Sequence, residues 1–304
     1  MVTSIINSHT FNGSEPGPHL LITAGVHGDE FEPIRAVQTL LNQFQNKSED
    51  VSGFRGKVTL VPCVNEAAFL RGHRCAEDGL DLARTCPGSE TGSITERTAF
   101  ELSQLIAMAD YYIDLHTGGT EYSLYPLAGY MLHADPEILE AQRRMARAFN
   151  LPVVWGTSPH LDGRSLSVAR DAAVPAIYSE YHGAATCTAN GTRDCVDGCL
   201  NVMAELGMLT RTQPHCRVRH VVEDPKPDSG HLQVCNPSPV TGVFEPNVAL
   251  GDLVTQGDPL GTVFPINDGE ATPVHSEGSG LVILLRTFPR VKQGESVAVV
   301  LELP

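Results

Sequence analysis

Residues 19–24 (HLLITA) form a compact apolar run that breaks at Gly25 into Val26-His27-Gly28-Asp29-Glu30. The run is too short for a helix and apolar at nearly every position, the mark of a strand covered on both faces. Two glycines and three titratable side chains directly after such a strand place a turn at the rim of a sheet. In open α/β sheets that rim is where ligands bind. The motif recurs in weaker form. Residues 57–64 (KVTLVPCV) and 174–179 read as strands, and residues 111–115 (YYIDL) end directly before His116.

Helical periods lie between these strands. Residues 33–44 set Ile34, Val37, Leu40, Leu41 and Phe44 at helical spacing. Residues 95–109 open on Thr95 and Glu96 and continue with Phe100, Leu102, Leu105 and Ile106. Residues 136–149 and 197–206 are two further helices. Strands alternating with helices predict an α/β layer fold with a mostly parallel sheet.

After about residue 210 the helical period stops. Short β-type runs remain, at 217–222, 261–264, 280–285 and 296–303, punctuated by Gly and Pro. The expected organisation is therefore a catalytic domain over residues 1–210 and a small all-β domain over 211–304. Residues 250–261 and 288–299 share a V-x-x-G pattern at their turns, which resembles the turn chemistry of lipoyl-type hammerhead barrels. No lysine sits in an attachment motif there, so the pattern reads as structural rather than as a carrier site.

His27 and Glu30, three residues apart in a first turn after a strand, can face one point. Imidazole nitrogen and carboxylate oxygen both suit Zn²⁺, and catalytic zinc takes three protein ligands and keeps one position open. His116, at another strand end, is the expected third ligand, with Asp114 placed to orient it from behind. A hydrolase also needs a base. Glu180 ends the apolar strand after Val174, where partial burial raises a carboxyl toward the useful range. The competing account of Glu180 is a salt-bridged structural residue, and the metal motif decides against it.

Bulk properties narrow the partners. The 304 residues carry a formal charge of −15, which disfavours sequence-independent nucleic-acid binding. Hydrophobic residues are 41%, enough for a real core, and no apolar stretch approaches a membrane span. Residues 1–10 show no basic region followed by an apolar one, so the expectation is a soluble cytoplasmic protein. The eight cysteines form no CxxC pair and read as reduced, mostly buried or incidental thiols.

Taken together, the His27–Glu30 motif, Asn65-Glu66-Ala67-Ala68-Phe69 with Arg74 downstream, Asp81-Leu82-Ala83-Arg84 with Pro87-Gly88 after it, Asp114-Leu115-His116 and Ser179-Glu180-Tyr181 resemble the succinylglutamate desuccinylase/aspartoacylase family. Order and spacing agree from about residue 19 to about 208, and more loosely beyond. The branch most resembled deacylates small N-acyl amino acids or diamines, as the N-acetyl-diaminobutyrate deacetylases do.

The resemblance implies a zinc carboxypeptidase-like three-layer α/β/α domain with a mixed, mostly parallel sheet, one Zn²⁺ per chain on His27, Glu30 and His116, and Glu180 as base and then acid. Arg74 would polarise the scissile carbonyl, with Arg71 the alternative contact, and Arg84 would grip a substrate carboxylate. One departure stands out. The family places Asn before that second arginine, where this chain has Ala83. Asp81 or another side chain would have to supply the lost hydrogen bonds, or the substrate differs.

The expected function is zinc-dependent cleavage of a small N-acyl amino acid or related amine by a zinc-bound water that Glu180 activates. A metallocarboxypeptidase, an esterase on the same site and a catalytically silent metal-binding module are the alternatives. Neither nucleic acid nor a membrane is an expected partner, and a homo-oligomer is left open.

Overall fold

The computed structural model describes residues 5–227, 229–233, 235–267 and 269–304. The first half runs β1 (His9–Asn12), β2 (Glu15–Ala24), α1 (Phe31–Gln45), β3 (Arg55–Val61), α2 (Glu66–Arg71), α3 (Ile94–Ala107) and β4 (Tyr111–His116). It continues with β5 (Tyr122–Met131), α4 (Pro136–Phe149), β6 (Val153–Thr157), α5 (Ser165–Asp171), β7 (Ala176–Gly183) and α6 (Ala189–Glu205). Only strands follow among the described residues: β8 (His220–Glu223), β9 (Gly242–Pro246), β10 (Leu253–Val254), β11 (Pro259–Pro265), β12 (Thr272–His275), β13 (Gly280–Arg286), β14 (Arg290–Val291) and β15 (Ala298–Leu301).

β3, β2, β4 and β7 lie side by side and parallel, and they form the centre of an eleven-stranded mixed sheet. β5 joins β7 antiparallel and leads on to β6 and β8 at one end and to β13 at the other. Leu20, Leu21 and Ile22 are fully buried, alternating between the two faces of the sheet, as a strand covered on both sides requires. One face packs on α1, α4 and α6 through Val37, Leu40, Met145 and Met203. The other packs on α3 and α5 through Leu102, Ile106 and Ala169. The architecture is thus the α/β layer fold with a mostly parallel sheet that the alternating pattern predicts, in the three-layer α/β/α form that the resemblance implies.

The helix boundaries follow local chemistry. α3 starts on a capping box, Ser93 Oγ accepting from the Glu96 amide while the Ser93 amide donates to Glu96 Oε2 at 2.7 Å. α4 starts on Asp135 with Pro136 in its first turn and stops at Asn150 in the left-handed region, φ 67°. α6 begins eight residues before the expected 197. Its first turn, Ala-Asn-Gly-Thr, reads as a loop in sequence. Thr188 caps that turn through the Gly191 amide, and Gly191 lies against Glu32 and Tyr181 with no room for a Cβ.

β5 has no clear strand signature because Pro126 and Gly129 interrupt it. The structure accommodates both. The β5–β7 register shifts between Leu124 and Leu127, so Pro126 falls in the irregularity, and the Tyr178 ring occupies the space a side chain on Gly129 would need.

The segment after residue 210 divides between two sheets. β8, β10, β13 and β15 extend the main sheet, while β12, β11, β9 and β14 form a second one. Arg286, 1% exposed, fixes β13 beside β5. Its guanidinium stacks on the Tyr122 ring, donates to Tyr122 Oη at 2.9 Å and pairs with Glu295 at 3.1 Å. The two V-x-x-G turns are built alike. Gly257 and Gly294 have φ of 92° and 88°, and the acid after each, Asp258 or Glu295, accepts from the amide three residues earlier. No disulfide joins cysteines among the described residues.

Candidate metal centre

The turn after β2 is shaped by what passes beside it. Gly25 takes φ 66°, and a Cβ on Gly28 would stand 2.1 Å from the Ala68 carbonyl carbon. Only glycine at 28 lets the backbone of α2 pass this close. Asn65 stitches the two turns together: its amide donates to Gly25 O at 2.9 Å, and its side chain caps α2 through the Ala68 amide at 3.1 Å. Glu30 is then the N-cap residue of α1, and its side chain turns inward to the histidines rather than capping the helix.

Glu30 is buried and shared between two imidazoles. Oε1 lies 2.7 Å from His27 Nδ1, and Oε2 lies 3.0 Å from His116 Nδ1. The far nitrogen of each ring meets another carboxylate, His27 Nε2 at Asp81 Oδ1 (3.1 Å) and His116 Nε2 at Asp114 Oδ2 (3.1 Å). Asp114 is itself held by Thr23 Oγ1 at 2.7 Å and Ser165 Oγ at 2.5 Å. Ligand atoms of His27, Glu30 and His116 all lie within 4.8 Å of one another, a group that could hold a metal ion. The donor set fits such an ion: two imidazoles converge through the same nitrogen, and carboxylates orient both from behind.

The electrostatics follow from this crowding. Burial alone would raise Glu30, but His27 and His116 outweigh it and hold the carboxyl well below the ordinary range. Burial would lower His116, yet Asp114 and Glu30 raise it well above the usual histidine value. Asp81 behaves like Glu30, the His27 hydrogen bond and the Arg74 charge overcoming its burial.

Glu180 reaches the same cavity because β4 and β7 are in register. His116 pairs with Glu180 and Asp114 with Tyr178, so neighbouring positions on parallel strands project together. Glu180 Oε2 is closed off from solvent and makes no hydrogen bond among the described residues. Burial raises its carboxyl to about 8, with Glu30 and Asp114 adding to the shift and His116 and Arg74 opposing it.

The expected site residues do not all arrive at one place. Arg74 and Arg84 line a cavity of about 110 Å³ together with the trio and Glu180. Asp81 is not on that lining. It grips Arg74 through Nε at 3.1 Å and Nη2 at 2.9 Å while holding His27, so it supports the wall rather than facing a substrate. Arg71 is also absent from the lining. It sits at the end of α2, where it donates to the Cys75 carbonyl at 2.8 Å and to that of Ala76, tying down the following loop.

Arg164 lines the cavity and has no counterpart in the sequence reading, since it lies in a loop with no periodicity before a short helix. Burial and then repulsion from Arg84 lower it to about 10. Neither arginine has a carboxylate hydrogen-bonded to it among the described residues: Arg84 donates to Ala83 O and Gln233 Oε1, and Arg164 to Gly230 O.

An α/β/α sandwich with a His-Glu-His group at the strand ends and a buried carboxylate beside it is an arrangement suited to hydrolysis. Residues 16–206 match the family model described as the succinylglutamate desuccinylase/aspartoacylase catalytic domain, and the chain belongs to that family. N-alpha-acetyl-L-2,4-diaminobutyric acid deacetylase of Halomonas elongata is 32% identical over 295 residues, covering 94% of this chain and 83% of the relative. Among solved structures, a succinylglutamate desuccinylase/aspartoacylase from Rhodobacter sphaeroides superposes with a TM-score of 0.86 at 26% identity, over 98% of this chain and 88% of that one. The product-bound ectoine utilization protein EutE (DoeB) of Ruegeria pomeroyi gives 0.82 at 26% identity, over 96% and 87%. No helix among the described residues is long and apolar enough to cross a membrane.

Proposed function

We propose that the chain is a zinc-dependent deacylase that hydrolyses the amide bond of a small N-acyl amino acid or related N-acyl amine. His27, Glu30 and His116 would hold one Zn²⁺ through two Nδ1 atoms and a carboxylate. Bound there, the ion supplies a Lewis acid for the scissile carbonyl and lowers the pKa of water. Glu180 takes a proton from the attacking water and delivers it to the leaving nitrogen. Arg74, held rigid by Asp81, stabilises charge developing on the carbonyl oxygen. Arg84 and Arg164 are the groups left to take a substrate carboxylate.

The observation that carries this reading is the raised Glu180 carboxyl, whose buried Oε2 has no hydrogen-bond partner among the described residues, on the same cavity wall as the trio. A carboxylate with a structural role would have a partner. The small cavity favours a compact acyl amino acid over a peptide, and the relatives' activities support the same choice. The test is release of acetate or succinate from a panel of N-acyl amino acids, short peptides and esters by zinc-loaded protein. Turnover of the acyl amino acids above the other two classes is expected. Preferential peptide turnover would favour a carboxypeptidase, and zinc binding without turnover a silent module.

A further inference from the structure

Arg84 and Gln233 meet on the cavity lining although 149 residues separate them. Arg84 Nη2 donates to Gln233 Oε1 at 3.0 Å, and Nη1 donates to the neighbouring Ala83 carbonyl at 2.7 Å. A guanidinium has donors only, so the Gln233 amide must turn its oxygen to Arg84 and its NH₂ away. That NH₂ donates to nothing among the described residues. Both side chains line the cavity.

The short segment that carries Gln233, between β8 and β9, also supplies Gly230 O to Arg164 Nη2 at 3.2 Å. One stretch of chain therefore steers both Arg84 and Arg164, and it does so with neutral acceptors. A neutral acceptor fixes a guanidinium without cancelling its charge, whereas a carboxylate in its place would form an ion pair and spend the positive field internally. Two guanidiniums on one cavity wall with no carboxylate hydrogen-bonded to either among the described residues make an anion the partner that suits them.

We propose that Gln233 is a specificity-determining residue of this site: on the cavity lining, it clasps Arg84 and offers its amide hydrogens beside that guanidinium, so that a substrate carboxylate is received by the two together. The proposal rests on the deacylase reading and names what selects its substrate.

The test is calorimetric binding in a Glu180→Gln background, where the ligand is not consumed. The probes are N-acetyl-L-2,4-diaminobutyrate and its carboxamide, which differ only in the carboxylate. Adding Gln233→Ala should weaken the acid about tenfold, the loss of one charge-assisted hydrogen bond, and the carboxamide less than twofold. Gln233→Glu, by pairing with Arg84, should weaken the acid by about a hundredfold or more, with bound zinc unchanged. Equal weakening of both ligands would mean a merely structural role. No effect on the acid, or no preference for the acid in the parent, would equally overturn the proposal. Failure of the deacylase reading shows elsewhere, as wild-type protein that releases no acyl group from any member of the panel.

Discussion

Asp114 and His116 stand two residues apart on β4, and the carboxylate of the first meets Nε2 of the second at 3.1 Å. Alternate residues of a strand share a face, so the contact is built into the backbone. It fixes the ring with Nδ1 toward Glu30, so that Nδ1 is the nitrogen that would face a metal once its proton is lost. Thr23 and Ser165 saturate Asp114 from the other side. In Asp114→Asn the ring loses its anionic acceptor. Zinc affinity should fall about 10- to 100-fold in chelator competition, with one ion still bound at saturation. Unchanged affinity would remove Asp114 from the metal centre.

Glu180 sets the pH response. As a base it must be ionised, so kcat/KM should rise with pH through its pKa. The value of about 8 belongs to the metal-free protein, and the charge of a bound dication moves the limb lower. Glu180→Gln should retain zinc, lose turnover by about 10²- to 10⁴-fold and lose that acid limb. A variant with wild-type turnover would exclude Glu180 as the base.

The same group makes the metal-free fold pH-sensitive. Its folded pKa is raised from 4.5 to about 8, so the folded state holds a proton that the unfolded chain releases. That stabilisation is complete below about 4.5 and is lost as pH rises through about 8. Thermal melts of the metal-free protein between pH 5 and 8 should therefore fall more steeply for wild type than for Glu180→Gln. Parallel slopes would contradict the assignment.

Gly28 separates close approach from backbone conformation. Alanine there meets the α2 backbone at 2.1 Å, so Gly28→Ala should cost about 1–3 kcal/mol and weaken metal binding by displacing the turn. Gly72, at φ 61° with nothing within 4 Å of its would-be Cβ, is the control. Gly72→Ala should cost about 1 kcal/mol through conformation alone and leave metal binding intact. Chemical denaturation with metal titration distinguishes the two.

Features written in consecutive residues were readable from sequence. The run 19–24, the His27–Glu30 turn and the YYIDL strand before His116 each sit in one short window, and the parallel register that joins them is the default for alternating strands and helices. What escaped depends on distant pairings. Arg164 and Gln233 lie in stretches with no period, after β6 and β8, two strands far apart in sequence that pair side by side. Asp81 was legible as a site residue but not as a support, since its role follows from contacts with His27 and Arg74. Arg71 illustrates the reverse: a cation near the motif in sequence whose guanidinium is committed to loop carbonyls.

The measurement that bears most directly on the account is amide hydrolysis by metal-free protein titrated with zinc. Activity toward an N-acetyl amino acid should rise linearly to one equivalent per chain and then level off, and His116→Ala should show no such break. Turnover in the metal-free protein that zinc leaves unchanged would contradict it.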